Sequence, residues 1–242
     1  LLDLSLAEEW KLPSTPGLKA HGAGSAVIEG RILEEVTAQI GGVGTSLPYA
    51  LPLGPLAEME GRPMQAIIGL ELFAQHVVEF DYAARRVRLY DKDAEFKPTG
   101  AVLPLRLVEG RPLTTAVVTI GGEERSLEAM IDTGATRSGL SARYLAAHPL
   151  DVPTTPSFTI SGGVGGGATG RLFRPDAVQL GDLRCERPVL GMTESTEGLS
   201  GSKSKFELLV GADLLGRCRV IVDYPRQRLL VEPGPDAGQP FG

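Results

Sequence analysis

Residues 67–90 and 209–232 align without a gap at an offset of 142, and a chain that repeats itself in this way is built from two related parts. The segment IIGLELFAQHVVEFDYAARRVRLY against LVGADLLGRCRVIVDYPRQRLLVE pairs Gly69 with Gly211, Leu72 with Leu214, Val78 with Val220, Asp81-Tyr82 with Asp223-Tyr224 and Arg86 with Arg228. Upstream, Gly30-Arg31 matches Gly170-Arg171, and Gln39-Ile40-Gly41 matches Gln179-Leu180-Gly181, both at an offset of 140. The first residues, LLDLSLAEEWKL, correspond to GLSARYLAAHPL (139–150) at an offset of 138, each long enough for one or two helical turns. The chain therefore divides into lobes of residues 1–97 and 98–242, with the polar stretch DKDAEFKPTG (91–100) at the join. The tail PGPDAGQPFG is expected to be loose.

Each half reads as short strands. The 31 glycines and 18 prolines punctuate brief runs of valine, isoleucine and leucine, a pattern of tight turns and not of helical bundles. In the second half, AVLPLRLV, LTTAVVTI and RSLEAMI are separated by EGRP and GGEE, and they predict a three-strand meander whose third strand delivers Asp132. The expected fold is all-β: two related lobes of short antiparallel strands with a cleft between them, each lobe adding one or two short helices.

A formal charge of −6 without a Lys/Arg cluster argues against nucleic acid, whose binding draws on cations that displace counterions. Peptide or protein substrates fit better. No apolar run reaches the ~18 residues of a membrane helix, and the acidic start lacks the basic n-region of a signal peptide. The chain opens without Met in an apolar-periodic segment, which suggests an upstream portion. Cys185 and Cys218 lack Cys-x-x-Cys spacing, and one bridge or two buried thiols are both open. His21, His76 and His148 are scattered away from any Cys, Asp or Glu ligand pattern, so no metal or other cofactor is expected.

The chemistry concentrates at Ala-Met-Ile-Asp-Thr-Gly-Ala, residues 129–135. A carboxylate activates water efficiently when a second carboxyl beside it holds the shared proton, because like charges a few ångströms apart cannot both ionise cheaply. Asp132 offers one such group. Thr133 can bond backbone across the pair, Gly134 can donate its N–H to the carboxylate, and Ala135 keeps the turn narrow. A glycine-rich stretch, SGGVGGGATG (161–170), and Leu209-Val210-Gly211-Ala212-Asp213 follow in order. The glycine stretch has no Gly-Lys-Ser/Thr to cradle phosphate, and no Gly-x-Ser-x-Gly elbow is present. Asp213 and Glu71 suit the start of a short helix, where acids accept orphan N–H groups, and Asp81 and Asp223 suit turns or strand edges.

Together these elements resemble the retropepsin-like and pepsin-like aspartic peptidases, specifically the bacterial two-lobe aspartyl protease type, over nearly the whole chain. The resemblance implies a peptide-bond hydrolase in which Asp132, Thr133 and Gly134 form one catalytic turn. It implies a flap at 161–170, so that Ala135, Gly162, Gly163, Val164, Gly165 and Gly166 contact substrate, and a first-lobe flap about Lys19–Gly30 that adds His21, Gly22, Ala23 and Gly24. Neither flap offers the Tyr or Trp of the pepsin pattern. In the family the Gly211 motif passes beneath the catalytic turn and braces it. The partner Asp-(Thr/Ser)-Gly is absent from the first lobe as given, and the offset of 138 carries Asp132 to position −6, upstream of Leu1. Three arrangements follow: an endopeptidase with both lobes in one chain, a peptide-binding or scaffold module that has lost the first acid, and pairing of two copies through the second lobe. A periplasmic or secreted location accords with the resemblance.

Overall fold

The computed structural model describes residues 1–21, 27–163, 166–194 and 205–241. In chain order the elements are β1 (Leu2–Asp3), α1 (Leu4–Glu9), β2 (Ser14–His21), β3 (Val27–Leu33), β4 (Thr37–Ile40), β5 (Val43–Ser46), β6 (Tyr49–Leu51), α2 (Gly54–Glu60), α3 (Leu70–Phe73), β7 (His76–Asp81) and β8 (Arg86–Asp91). They continue with β9 (Ala101–Pro104), β10 (Arg106–Val108), β11 (Arg111–Ile120), β12 (Glu123–Ile131), β13 (Gly139–Leu140), α4 (Ala142–Ala147), β14 (Phe158–Gly163), β15 (Gly166–Phe173), β16 (Ala177–Leu180), β17 (Leu183–Glu186), β18 (Leu190–Thr193), β19 (Leu208–Val210), α5 (Ala212–Leu215), β20 (Cys218–Asp223) and β21 (Arg228–Pro233). The protein is all-β with a few short helices. No helix of the described residues is long and apolar enough to cross a membrane.

The chain forms two compact units. The first is built on Leu1–Leu72 and takes in Thr159–Thr169. Its four-stranded sheet runs β1-β6-β3-β2, and β4 pairs with β5 separately. Its core is small, centred on Leu2, Ala7, Leu33, Leu47 and Ala50.

The second unit holds Phe73–Phe158, Gly170–Glu194 and the described residues from 205 onward. One sheet runs β15-β18-β13-β19-β12-β11-β16-β17, with β10 added on β11. Along β11 the buried positions alternate, Ala116, Val118 and Ile120 entering the core while Thr115 stays exposed, as a strand with one core face requires. The second sheet runs β8-β7-β20-β21-β9. Its central β20 is buried almost throughout, Val220, Val222, Leu229 and Val231 packing into the main core and Ile221 and Leu230 with Val77 on the other face.

Two expectations fail here. The run AVLPLRLV is not one strand: Leu105, 1% exposed, divides it, so that β9 pairs with β21 in one sheet and β10 with β11 in the other. The tail is not loose. The Arg217 guanidinium donates to the carbonyls of Asp236, Gln239 and Pro240 and sits 3.6 Å from the Phe241 ring centroid, while Ala237 and Phe241 pack on the main core.

Element limits recur with the sequence offsets. α1 and α4 lie 138 apart, each capped by a side chain at its N-terminus: Asp3 accepts from Ser5 N–H at 3.0 Å and Ser141 from Tyr144 N–H at 3.2 Å. The hairpins β4-β5 and β16-β17 lie 140 apart. α3 and α5, and the hairpins β7-β8 and β20-β21, lie 142 apart. In these last hairpins Arg85 and Gln227 occupy equivalent left-handed positions, with φ of 53° and 50°. Asp81 and Asp223 accept from the N–H groups of Ala84 and Arg226 in the same turns. β20 pairs with β7 so that Val220 faces Phe80, Val222 faces Val78 and Ile221 faces Glu79. The first two pairs exchange under the offset of 142, and the third maps onto itself, so a local twofold axis passes through Glu79 and Ile221.

Candidate active site

The turn at Asp132 is set by a crossing of three strands. β12 pairs parallel with β19, Ile131 opposite Val210, and β13 pairs antiparallel with the other edge of β19, Gly139 opposite Leu209. Residues 132–138 must therefore pass over the C-terminal end of β19. Asp132 N–H donates to the Val210 carbonyl at 3.0 Å, which carries the ladder one residue beyond the strand. The carboxylate then folds back on its own turn: Oδ1 accepts from Gly134 N–H at 2.9 Å and from Ala135 N–H at 3.2 Å. Two N–H groups aimed at one oxygen orient the carboxyl and favour its ionised form. Asp132 is half-buried, as are Thr133 and Ala135, and Gly134 is exposed. The N–H bond of Gly134 is the one the sequence predicts.

Gly211 lies directly under the turn. A Cβ there would come within 2.8 Å of the Ala135 carbonyl oxygen and 3.0 Å of the Arg137 carbonyl, both backbone, so only glycine fits. Ala212 N–H donates to the same Ala135 carbonyl at 2.7 Å. Asp213 does more than serve the short helix α5. Its carboxylate accepts from Ser138 N–H at 3.0 Å and from Ser138 Oγ at 2.5 Å, as well as from Leu214 N–H at 2.9 Å. Ser138, 1% exposed, in turn accepts from Gly211 N–H at 2.9 Å. The exit of the turn is thus tied to the residues beneath it through a buried serine. Ser138→Ala should leave the Gly211 N–H and the Asp213 carboxylate short of partners, costing about 2 kcal/mol. Thermal unfolding checks this; an unchanged midpoint would show that water replaces the hydroxyl at no cost.

Tyr82 and Tyr224, equivalent under the offset of 142, frame the electrostatics. Burial pushes the Tyr82 hydroxyl up to about 12, and the negative charges of Cys218 and Asp132 add to the effect. Tyr224 is shifted upward by burial and, secondarily, by Asp132. Both phenols therefore stay neutral wherever the carboxylate works. The repeated Asp-Tyr dipeptide was visible in the sequence, but nothing there linked its tyrosines to Asp132.

The remaining candidates stand elsewhere. Gly162 and Gly163 end β14 and Gly166 opens β15; His21 ends β2. Gly22, Ala23, Gly24, Val164 and Gly165 lie outside the described residues. The His148 ring packs 4.8 Å from the Tyr144 ring, and His76 lies in β7. Among the described residues no group of three His, Cys, Asp or Glu side chains is placed to hold a metal ion. Cys185 and Cys218 are free, buried thiols, pushed up to about 11 and about 12 chiefly by burial.

The family model described as aspartyl protease matches residues 116–214. Among solved structures, a retropepsin-like aspartic protease from Rickettsia conorii is similar at 18% identity and a TM-score of 0.36, over 57% of this chain and 97% of that one. No curated protein matches the chain. The matched residues contain the Asp-Thr-Gly turn, the buried serine behind it and the Gly211-Ala212-Asp213 brace, and this part of the chain belongs to the aspartyl protease family.

Proposed function

We propose that the protein is an aspartic endopeptidase in which Asp132 supplies one carboxyl of a catalytic pair. The observation that carries this reading is the turn itself: a carboxylate oriented by the N–H groups of Gly134 and Ala135, on a loop anchored to Val210, Gly211 and Asp213. The repeat assigns the partner aspartate to position −6, where the offset of 138 carries Asp132. Residues 1–97 and 98–242 then act as two lobes, and substrate lies extended between them with its backbone against the flap strands. Water held between the two carboxyls attacks the scissile carbonyl. The ionised acid takes its proton while the protonated one donates to the carbonyl oxygen.

The test is digestion of a peptide library by the intact protein, with and without a statine-type transition-state mimic. Cleavage that the mimic suppresses is expected, and it should fade at alkaline pH as the second carboxyl also ionises and no proton is left to donate. Binding of library peptides without cleavage would assign the site to peptide capture instead.

A further inference from the structure

The five-stranded sheet of the second unit breaks its own symmetry. Its order, β8-β7-β20-β21-β9, is symmetric about the β7/β20 pair except for β9, which closes the outer edge of β21. There Leu229 lies opposite Leu103 and Val231 opposite Ala101. Leu105 N–H donates to the Gln227 carbonyl at 2.8 Å, so by antiparallel alternation the outward-facing backbone groups of β21 are those of Leu229 and Val231. Their counterparts on β8, 142 residues earlier, are Val87 and Leu89. Among the described residues no strand pairs with that edge of β8. The contrast shows in exposure: Leu229 is 0% exposed, Val87 59%. The repeat is open at a second point as well. A Cβ on Gly181 would meet Ala101 of β9 at 2.6 Å, whereas its counterpart Gly41 has nothing within 4 Å.

We propose that the outer edge of β8 is a strand-addition site that takes an extended peptide segment of another polypeptide, with the chemistry of β9. The segment pairs antiparallel with Arg86–Leu89 and places small or branched apolar side chains opposite Val87 and Leu89, as Leu103 and Ala101 stand opposite Leu229 and Val231. Main-chain bonds at Val87 and Leu89 supply the affinity and the apolar alternation the selectivity. A second copy of β8 is a poorer occupant, since edge-to-edge pairing would bring Arg86 and Arg88 of both chains together. The inference is independent of the peptidase reading.

The probe is a labelled peptide of sequence TGAVLPLR, residues 99–106, titrated into the chain and followed by fluorescence anisotropy. Saturable binding is expected. It should weaken at least about tenfold with Val87→Pro, which removes one outward N–H from an edge strand that tolerates proline. Peptide methylated at the amides equivalent to Ala101 and Leu103 should lose binding to the unaltered chain, a result that holds even if the proline variant folds poorly. A photo-crosslinker at the peptide's Val102 position should label residues 86–89. Labelling of 228–231 would mean that the peptide merely displaces β9, and would overturn the proposal, as would absence of saturable binding or equal binding of the methylated peptide. A concentration-dependent dimer abolished by Val87→Pro would overturn it in favour of a second copy.

Discussion

Asp132→Asn is expected to abolish peptide-bond cleavage by the intact protein while leaving the fold almost untouched. The amide oxygen can still accept from Gly134 and Ala135 N–H, so the turn keeps both of its local bonds. The Asp132 N–H bond to Val210 and the Ser138–Asp213 tie are unaffected. What is lost is the ability to take a proton from water, and with it general-base assistance of at least about 10²–10⁴-fold. Asp132→Ala should be equally inactive, but it removes the acceptor of two N–H groups and should cost about 1–2 kcal/mol. Comparing turnover of an unfolded protein substrate with thermal midpoints separates the two effects. Normal cleavage by either variant would refute the assignment of Asp132 as a catalytic group.

Much of this architecture could be read before the structure because repetition leaves marks on sequence. Glycines and turn residues recur at 138, 140 and 142, and the helices and hairpins recur at the same spacings. The bond from Gly134 N–H to the carboxylate follows from local chain geometry, and it too was legible. Contacts made by topology were not. Ser138 and Asp213 are 75 residues apart, and they meet only because β19 inserts between β12 and β13. Asp213 alone reads as a helix acid, which is the lesser part of its role. The break at Leu105 was hidden because both halves of AVLPLRLV are good strand sequence, and only the competing edges of β21 and β11 divide them. The tail reads as loose from its glycines and prolines, because the clamp that holds it comes from Arg217 in the turn before β20.

Glu79 is the residue whose loss should destabilise the fold most. In HVVEFD it reads as a solvent-facing position, yet its repeat counterpart is Ile221 and its exposure is 0%. At the local twofold axis it accepts from Tyr90 Oη at 2.7 Å, from Arg219 at 3.0 Å and from Arg88, while Arg219 also bonds Glu232 at 2.6 Å. One carboxylate thus joins β7, β8 and β20. Glu79→Ala would leave Tyr90 and Arg88 without their acceptor and open a hole between the strands, a loss on the order of 3–5 kcal/mol. At roughly 2–4 °C per kcal/mol for a chain of this size, the thermal midpoint should fall by about 6–20 °C. Glu79→Leu fills the space and should fall less. Burial pushes the Glu79 carboxyl up, but the bonds from Arg219, Tyr90 and Arg88 together outweigh it and hold the group below the ordinary value of 4.5. A carboxyl with a depressed folded-state value contributes its full stability above the unfolded value and loses it as pH falls through the folded one. The midpoint difference between the native chain and Glu79→Leu should therefore be constant above about pH 5 and shrink as the medium is acidified. Calorimetry across that range decides the matter, and a gap that does not narrow in acid would mean that Glu79 is not held as a paired carboxylate.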